Sequence, residues 1–303
     1  GESHAASDAF SLKMGHARLA RAALAEADPV TIDLCEGFAL GVNAWLAEHA
    51  GVVPPWAEGV QPPDVLALWH AFLVRMAPLD LPGVERPPHP YPSANAWALS
   101  AGRSESGRAV LVLNPHQRHD GAFRWYEAHL VLPDMDMAGC TLFGLPVIVQ
   151  GHNKALGWAL TPNRPDFADV FEEEVTGPER NPKDPSLPDF AAEQAMLLEY
   201  MSQARPYYVR TEGGLDERYV PALIAKRGPV FERAGTLFSW LIGGYRELGG
   251  LRQLFEMARC ATLGAFQDTL LMRQIPCFHV VYADREGNIF YLYNANAGDR
   301  AIP

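Results

Sequence analysis

The sequence lacks any run of basic residues, and this absence bears on its partners. Of 303 residues, 25 are Lys or Arg and 36 are Asp or Glu, which gives a formal net charge of -11. Nucleic acids are bound by clustered Lys and Arg side chains that neutralise phosphates. The composition therefore argues against a nucleic-acid surface, and we expect no nucleic-acid partner.

Long apolar runs and close cysteine pairs are also missing. No apolar segment reaches the roughly 18 residues of a membrane helix, so we expect no membrane partner. The four cysteines, at positions 35, 140, 260 and 277, form no CxxC pair, which argues against a zinc ribbon and favours buried thiols. The opening GESHAASDAF lacks the basic and apolar blocks of a signal peptide. This leaves a cytoplasmic protein, or one whose leader is not part of this chain.

Prolines concentrate at one place and divide the sequence. Residues 1 to 78 carry apolar side chains at helical spacing and predict a helical region. A dense group of prolines follows, and we assign residues 79 to 93 to a linker, because proline neither continues a helix nor donates to a sheet.

The pattern changes to short β segments from Asn95 onward. Turn residues separate AWALS, AVLVLN, RWYEAHLVL, PVIVQG, LGWALT and DVFEEEV, and FHVVYADREGNIFYLYN predicts a late hairpin. Residues 190 to 203 and 247 to 270 have helical spacing. Helices followed by antiparallel strands predict an α+β architecture. Four aromatic residues are predicted to lie in the core: Trp97, Trp125, Tyr126 and Trp158.

The residues that follow the linker resemble a known family. NAWALSAGRSESGRAVLVLNPH is similar to the opening of the β chain of penicillin and acyl-homoserine lactone acylases, which are N-terminal nucleophile hydrolases. The likeness continues in order through GLPVIVQGHNKALGWALT, NRPDFADVFEEE and VYADREGNIFY, and covers about residues 31 to 303. It implies an αββα sandwich of two stacked antiparallel sheets. Residues 1 to 78 would be α-chain-like, and residues 94 to 303 the first part of the β chain.

The resemblance also implies an activity. Members of the family cut their own precursor, and the Ser at the new N-terminus attacks an N-acyl amide with its own α-amino group as base. An α-amino group titrates at about pH 8, so it can act as a base at working pH. The resemblance implies a small-molecule N-acyl amide substrate, no required cofactor and a periplasmic or secreted location. A further chain or segment is expected to supply the rest of the β chain, including an oxyanion-hole Asn.

Position 94 departs from the family pattern. The family has Ser directly before the Asn, whereas this sequence has Ala94 there and Ser93 one residue earlier. Counting from Ala94, the NPH motif places His116 where the family has a residue beside the free amine. The register therefore favours Ala94 as the nucleophile position, although alanine has no nucleophilic atom. Three accounts stay open: an engineered block of self-cleavage, a natural pseudoenzyme or repurposed member (binding, acyl transfer or cyclisation), and Ser93 as an alternative nucleophile.

Four further residues are candidates for binding or catalysis. The family takes an oxyanion N–H from the residue after the Thr of GWALT, which here is Pro162 and has no N–H. Asn163 could supply its own N–H after a small loop shift. Gln117 and Gln150 occupy positions that line the family's acyl pocket, and two amides there would favour a polar acyl group.

Asp166 and Asp169 form an acidic pair in RPDFAD. They match positions that hold a structural calcium ion in some penicillin acylases, and carboxylate oxygens suit that ion. The alternative interpretation is that the two residues belong to a solvated acidic turn, and both interpretations are kept.

Overall fold

A computed structural model describes the following parts of the chain: residues 2–54, 57–76, 93–116, 121, 124–166, 168–173, 204–225, 227–233 and 236–296. They form two compact units. The described residues of the first lie within Gly1–His16 and Ala168–Ile242; those of the second lie within Ala17–Pro78, Pro90–Phe167 and Gly243–Pro303. The predicted regions 1–78, 79–93 and 94–303 are defined by the expected processing junction, whereas the two units are defined by which residues pack together. The predicted regions therefore stay a prediction.

Six α-helices occur among the described residues: α1 Glu2–Met14, α2 His16–Ala25, α3 Pro29–Glu48, α4 Pro62–Met76, α5 Gly250–Arg259 and α6 Leu263–Leu270. The start of α3 follows from its sequence. The Asp28 carboxylate accepts hydrogen bonds from Val30 N at 3.0 Å and Thr31 N at 3.2 Å, and Pro29 occupies the first turn. The predicted helix over 247–270 is two helices, and the predicted helix over 190–203 lies outside the described residues.

Helix α3 also bears on membranes. By length and composition alone, this helix is long and apolar enough to cross a bilayer. Core helices of globular proteins share that property. From the sequence, no apolar segment of that length is expected, and this helix, which contains Asp33 and Glu36, is not singled out. The absence of a membrane partner stays a prediction.

Eight strands of the second unit are β1 Ser93–Leu99, β2 Val110–His116, β3 Trp125–Leu132, β4 Met135–Leu142, β5 Gln150–Asn153, β6 Leu156–Thr161, β12 Cys277–Asp284 and β13 Ile289–Ala295. Six of them form one antiparallel sheet in the order β13-β12-β6-β5-β4-β3. Strands β1 and β2 form a separate antiparallel hairpin.

The hairpin lies on one face of the six-stranded sheet, against β6 and β12. The approach is so close that a Cβ added at Gly157 of β6 would come within 2.9 Å of Leu111 of β2. Helices cover the opposite face: Phe72 of α4 stacks on Phe278 at 6.2 Å, and Phe266 of α6 lies 4.9 Å from Tyr282. These layers confirm the predicted α+β class with stacked antiparallel sheets. The outer face of the hairpin stays exposed in the part of the chain that the structure describes.

The first unit contains five strands among its described residues: β7 Ala168–Glu173, β8 Ala204–Thr211, β9 Gly214–Pro221, β10 Val230–Arg233 and β11 Thr236–Ile242. Strands β8 and β9 pair, and the other three form a sheet in the order β10-β11-β7. Phe231 stacks on the buried Trp240 with ring centroids 3.8 Å apart, and Arg218 donates two bonds of 2.9 Å to Glu2 of α1. The first five residues of DVFEEEV therefore lie in a strand as predicted, but in a different sheet from the strands before it, and the last two lie outside the described residues.

The predicted core aromatics divide in two. Trp158 is fully buried and donates from Nε1 to the Val149 carbonyl oxygen at 2.9 Å. Trp97 and Tyr126 are 53% and 59% exposed, so their assignment to the core is wrong. Trp97 lies on the face of β1 that points away from the six-stranded sheet, and Tyr126 lies on β3, the edge strand of that sheet, so aromatic content alone does not decide burial. Trp125, also on β3, is half-buried.

Candidate active site

Ala94 is the second residue of β1, and its side chain lies on the inner face of the hairpin. Exposed and half-buried residues alternate along this strand, and Ala94, Ala96 and Ala98 are the half-buried ones. Because alternate residues of a strand share a face, these three alanines point towards the six-stranded sheet. Ala94 is paired with Pro115 across the hairpin. A side chain at position 94 is therefore aimed between the two sheets.

His116 ends β2 and lies on the opposite, outer face. It is paired with Ser93, and the Ser93 hydroxyl oxygen is 3.1 Å from His116 Nδ1. The other ring nitrogen, Nε2, is 3.3 Å from Asn95 Nδ2. All three side chains are exposed. In the uncut chain the imidazole thus contacts Ser93 and Asn95, and the role expected for it at position 94 stays a prediction.

The predicted oxyanion residues follow the end of β6. Pro162 is half-buried, and Asn163 is buried with 4% of its surface exposed. Asn163 Nδ2 donates to the Asn294 carbonyl oxygen at 2.7 Å, while its Oδ1 has no partner among the described residues. The side chain thus ties the end of β6 to β13 and leaves one buried acceptor open.

Gln150 is used inside the sheet. It is 1% exposed, and its Oε1 accepts from Leu160 N at 3.0 Å. Its amide nitrogen is next to the thiol of Cys140, the residue opposite on β4; burial raises the pKa of that thiol to about 11 although the amide opposes the shift. Its Oε1 thus links β5 to β6, while its amide nitrogen makes no hydrogen bond among the described residues. Gln117, the other predicted pocket residue, lies outside the described residues.

The two predicted calcium ligands fall in different compact units, Asp166 in the second and Asp169 in the first. Asp169 is paired with Leu241 in the sheet of β7. Within the described ranges, no group of three or more His, Cys, Asp or Glu side chains is placed to hold a metal ion. Calcium binding stays a prediction.

Two residues of the six-stranded sheet carry features that sequence reasoning missed. His279 of β12 is opposite Thr161, on the face of the sheet that the hairpin covers. Burial lowers the pKa of His279, and its Nδ1 is 2.8 Å from the Tyr291 hydroxyl. Asn153, in the quoted motif GHN, makes four hydrogen bonds that hold the turn before β6. Only the pairing of distant strands and helices reveals these contacts.

Comparisons with known proteins agree with the resemblance. The family model described as penicillin amidase matches residues 1–301. The acyl-homoserine lactone acylase PvdQ of Pseudomonas fluorescens strain Pf0-1 is 24% identical over 88% of this chain and 39% of that protein. The protein of the same name from Pseudomonas putida strain KT2440 is 27% identical over 86% of this chain and 32% of that protein.

Two further matches are shorter or more distant. Aculeacin-A acylase of Actinoplanes utahensis is 38% identical over 22% of this chain and 9% of that protein. A solved structure of thermostable penicillin G acylase from Alcaligenes faecalis matches with a TM-score of 0.47 and 21% identity, over 66% of this chain and 35% of that chain. The chain spans less than two-fifths of the length of these relatives.

Proposed function

Because the chain belongs to the penicillin amidase family, we propose that it forms part of an acylase for N-acyl amides in which the nucleophile position is disarmed by Ala94. A periplasmic or secreted location and a further segment that completes the β chain are part of the same proposal. The observation that carries it is the place of Ala94. It is the position that the NPH register matches to the family's nucleophile, and it points between the sheets from the start of β1.

The chemistry explains why one methyl group would stop the reaction. Family-type self-cleavage needs a hydroxyl at position 94 to attack the preceding carbonyl, and family-type hydrolysis needs the same hydroxyl to attack the substrate. Alanine supplies neither. The chain should therefore stay joined between residues 93 and 94.

Cleavage would also change the surroundings of His116. The imidazole contacts Ser93 in the uncut chain, and a cut after Ser93 would detach that residue from β1. The new α-amino group of residue 94 would then lie next to the space that Ser93 leaves beside His116. This sequence of events reconciles the observed contact with the expected role of His116 in orienting the amine.

Pro162 favours a second candidate, a family member that binds an acyl amide without cutting it or transfers the acyl group. A proline cannot donate the backbone N–H expected at that place. Loss of one oxyanion donor costs about 3 kcal/mol in the transition state, which is over a hundredfold in rate. A natural loss of hydrolysis would leave both Ala94 and Pro162 in place, whereas an engineered block needs only Ala94.

The test compares Ala94→Ser with Ala96→Ser in the full-length protein. Both variants place a hydroxyl on the inner face of β1, two residues apart, so they match in chemistry and burial. Ala94→Ser is expected to cut itself between residues 93 and 94 and to release amine from an N-acyl amide, whereas Ala96→Ser should do neither. Intact-mass measurement and an amine-release assay give the two results.

The outcomes separate the candidates. If Ala94→Ser cuts itself but hydrolyses poorly, adding Pro162→Val should raise the rate, which would indicate decay at the oxyanion site. If the double variant stays uncut and inactive, the proposal of a disarmed acylase is wrong and the binding candidate is favoured. Cleavage of the unaltered protein between residues 92 and 93 would instead identify Ser93 as the processing residue.

A further inference from the structure

The outer face of the β1–β2 hairpin brings together a hydroxyl, an imidazole and an amide. Ser93 and Asn95 lie two residues apart on β1, so their side chains share a face. His116 is opposite Ser93 on β2, which places its ring between the two. The Ser93 hydroxyl oxygen lies 3.1 Å from Nδ1, and the Asn95 amide lies 3.3 Å from Nε2. Both distances are compatible with hydrogen bonds to the two ring nitrogens.

The orientation of the Asn95 amide decides which ring nitrogen carries the proton. With Nδ2 towards the ring, Asn95 donates to Nε2, so the neutral imidazole carries its proton on Nδ1 and donates to Ser93. Rotation of the amide by half a turn places Oδ1 at the same position. Nε2 then donates to Asn95, and Nδ1 accepts the proton of the Ser93 hydroxyl. The second arrangement has the roles of a nucleophile, a base and a residue that orients the base.

We propose that Ser93, His116 and Asn95 form a serine esterase site in the uncut chain, separate from position 94 and independent of any α-amino group. Ser93 Oγ forms a bond to the ester carbonyl carbon, and its proton passes to His116 Nδ1. The bond to the leaving alcohol breaks as that proton is transferred to the leaving oxygen. Water, with His116 again as base, then releases the acid and restores Ser93.

The same face suggests the substrate class. Beyond Asn95 the outer positions of the hairpin are apolar, with Trp97 53% exposed, Leu99 43% exposed and Val112 41% exposed. Alternate residues of a strand are about 7 Å apart, so this stripe extends about 20 Å from Ser93. An acyl chain attached at Ser93 would lie along it and cover Trp97. The site therefore fits esters of apolar acids, and longer alkyl chains should react better than acetate.

The experiment labels the full-length protein with p-nitrophenyl acetate and p-nitrophenyl octanoate and locates the acyl group by peptide mass spectrometry. Ser104 is the internal control, because its half-buried hydroxyl is 2.8 Å from that of Ser106 rather than beside an imidazole. Ser93 should be acylated at least tenfold faster than Ser104, since a positioned base contributes about a hundredfold or more. His116→Ala should slow the reaction of Ser93 about a hundredfold and leave Ser104 unchanged.

Two variants test the finer assignments. Asn95→Asp offers only acceptor oxygens to Nε2, so it should fix the productive tautomer and raise the rate at Ser93 by at least about tenfold. Trp97→Ala should lower the rate with octanoate more than the rate with acetate, and so reduce the preference for the longer chain. All these side chains are exposed, and circular dichroism checks that each variant folds.

Equal acylation of Ser93 and Ser104, or an unchanged rate at Ser93 in His116→Ala, would overturn the proposal. Failure of Ala94→Ser to cut itself would not affect it, because the esterase site uses the other face of the hairpin. A slower reaction in Asn95→Asp would refute the assigned role of Asn95.

Discussion

Replacement of Asn153 should show how strongly one side chain fixes the turn in front of β6. Asn153 Nδ2 donates to the carbonyl oxygens of Ala258 and Cys260, each at 2.8 Å, and these end helix α5. Its Oδ1 accepts from Ala155 N at 2.8 Å and Leu156 N at 2.9 Å. All four hydrogen-bonding positions of the amide are thus occupied. The side chain connects the β5–β6 turn to a helix more than 100 residues later.

The size of the effect follows from these four bonds. A hydrogen bond contributes a net 0.5–1.5 kcal/mol, so Asn153→Ala should lower the free energy of unfolding by about 3 kcal/mol. Asn153→Asp keeps the two accepted bonds but turns a carboxylate towards two carbonyl oxygens. We expect it to cost about 4 kcal/mol at neutral pH, because a partly buried charge would face two acceptors.

Calorimetric unfolding of matched variants provides the measurement, since two compact units can unfold separately. Asn114→Asp is the control, because Asn114 lies on the exposed face of β2 and should change stability by less than about 0.5 kcal/mol. Below about pH 5 the new carboxyl of Asn153→Asp should protonate and donate to one carbonyl, so its deficit should shrink. A variant as stable as the unaltered protein at pH 7, or a deficit that does not change with pH, would refute this account of the turn.

Two other predictions concern the same unit. Burial acts to raise the pKa of Asp284, but hydrogen bonds, mainly from Asn288, outweigh it and hold the pKa below its ordinary value of 3.8. The stability that Asp284 contributes should be complete above about pH 4 and lost as the pH falls through the lowered pKa, so acid unfolding of Asp284→Asn should be flatter there. A Cβ at Gly151 would come within 2.7 Å of the facing glycine of β4, and Gly151→Ala should cost about 1–3 kcal/mol in thermal unfolding. Gly264→Ala in α6, where nothing lies within 4 Å, should instead be neutral or stabilising by up to about 1 kcal/mol; equal losses at both glycines would contradict the packing argument.

Local chemistry made several elements predictable from the sequence. The hairpin of β1 and β2, the strand GWALT and the cap of α3 depend on residues that are neighbours in the chain. The order of family motifs depends on sequence alone as well, and it led to the family and to the importance of position 94. Buried cysteines were predictable because a free thiol partitions into the interior, and three of the four are buried.

Only the tertiary structure decided which way the side chains of a strand point and which residues they contact. The sequence places Ser93 next to Ala94, but the packing of β1 on β6 and β12 determines that position 94 points inward and Ser93 outward. Aromatic content suggested that Trp97 is buried, whereas it lies on the side of the hairpin that no described element covers. Gln150 could be a pocket residue until the structure shows its buried side chain accepting a hydrogen bond from Leu160 N of β6. A strand has two faces of equal local propensity, so the choice between them depends on contacts with residues far away in the chain.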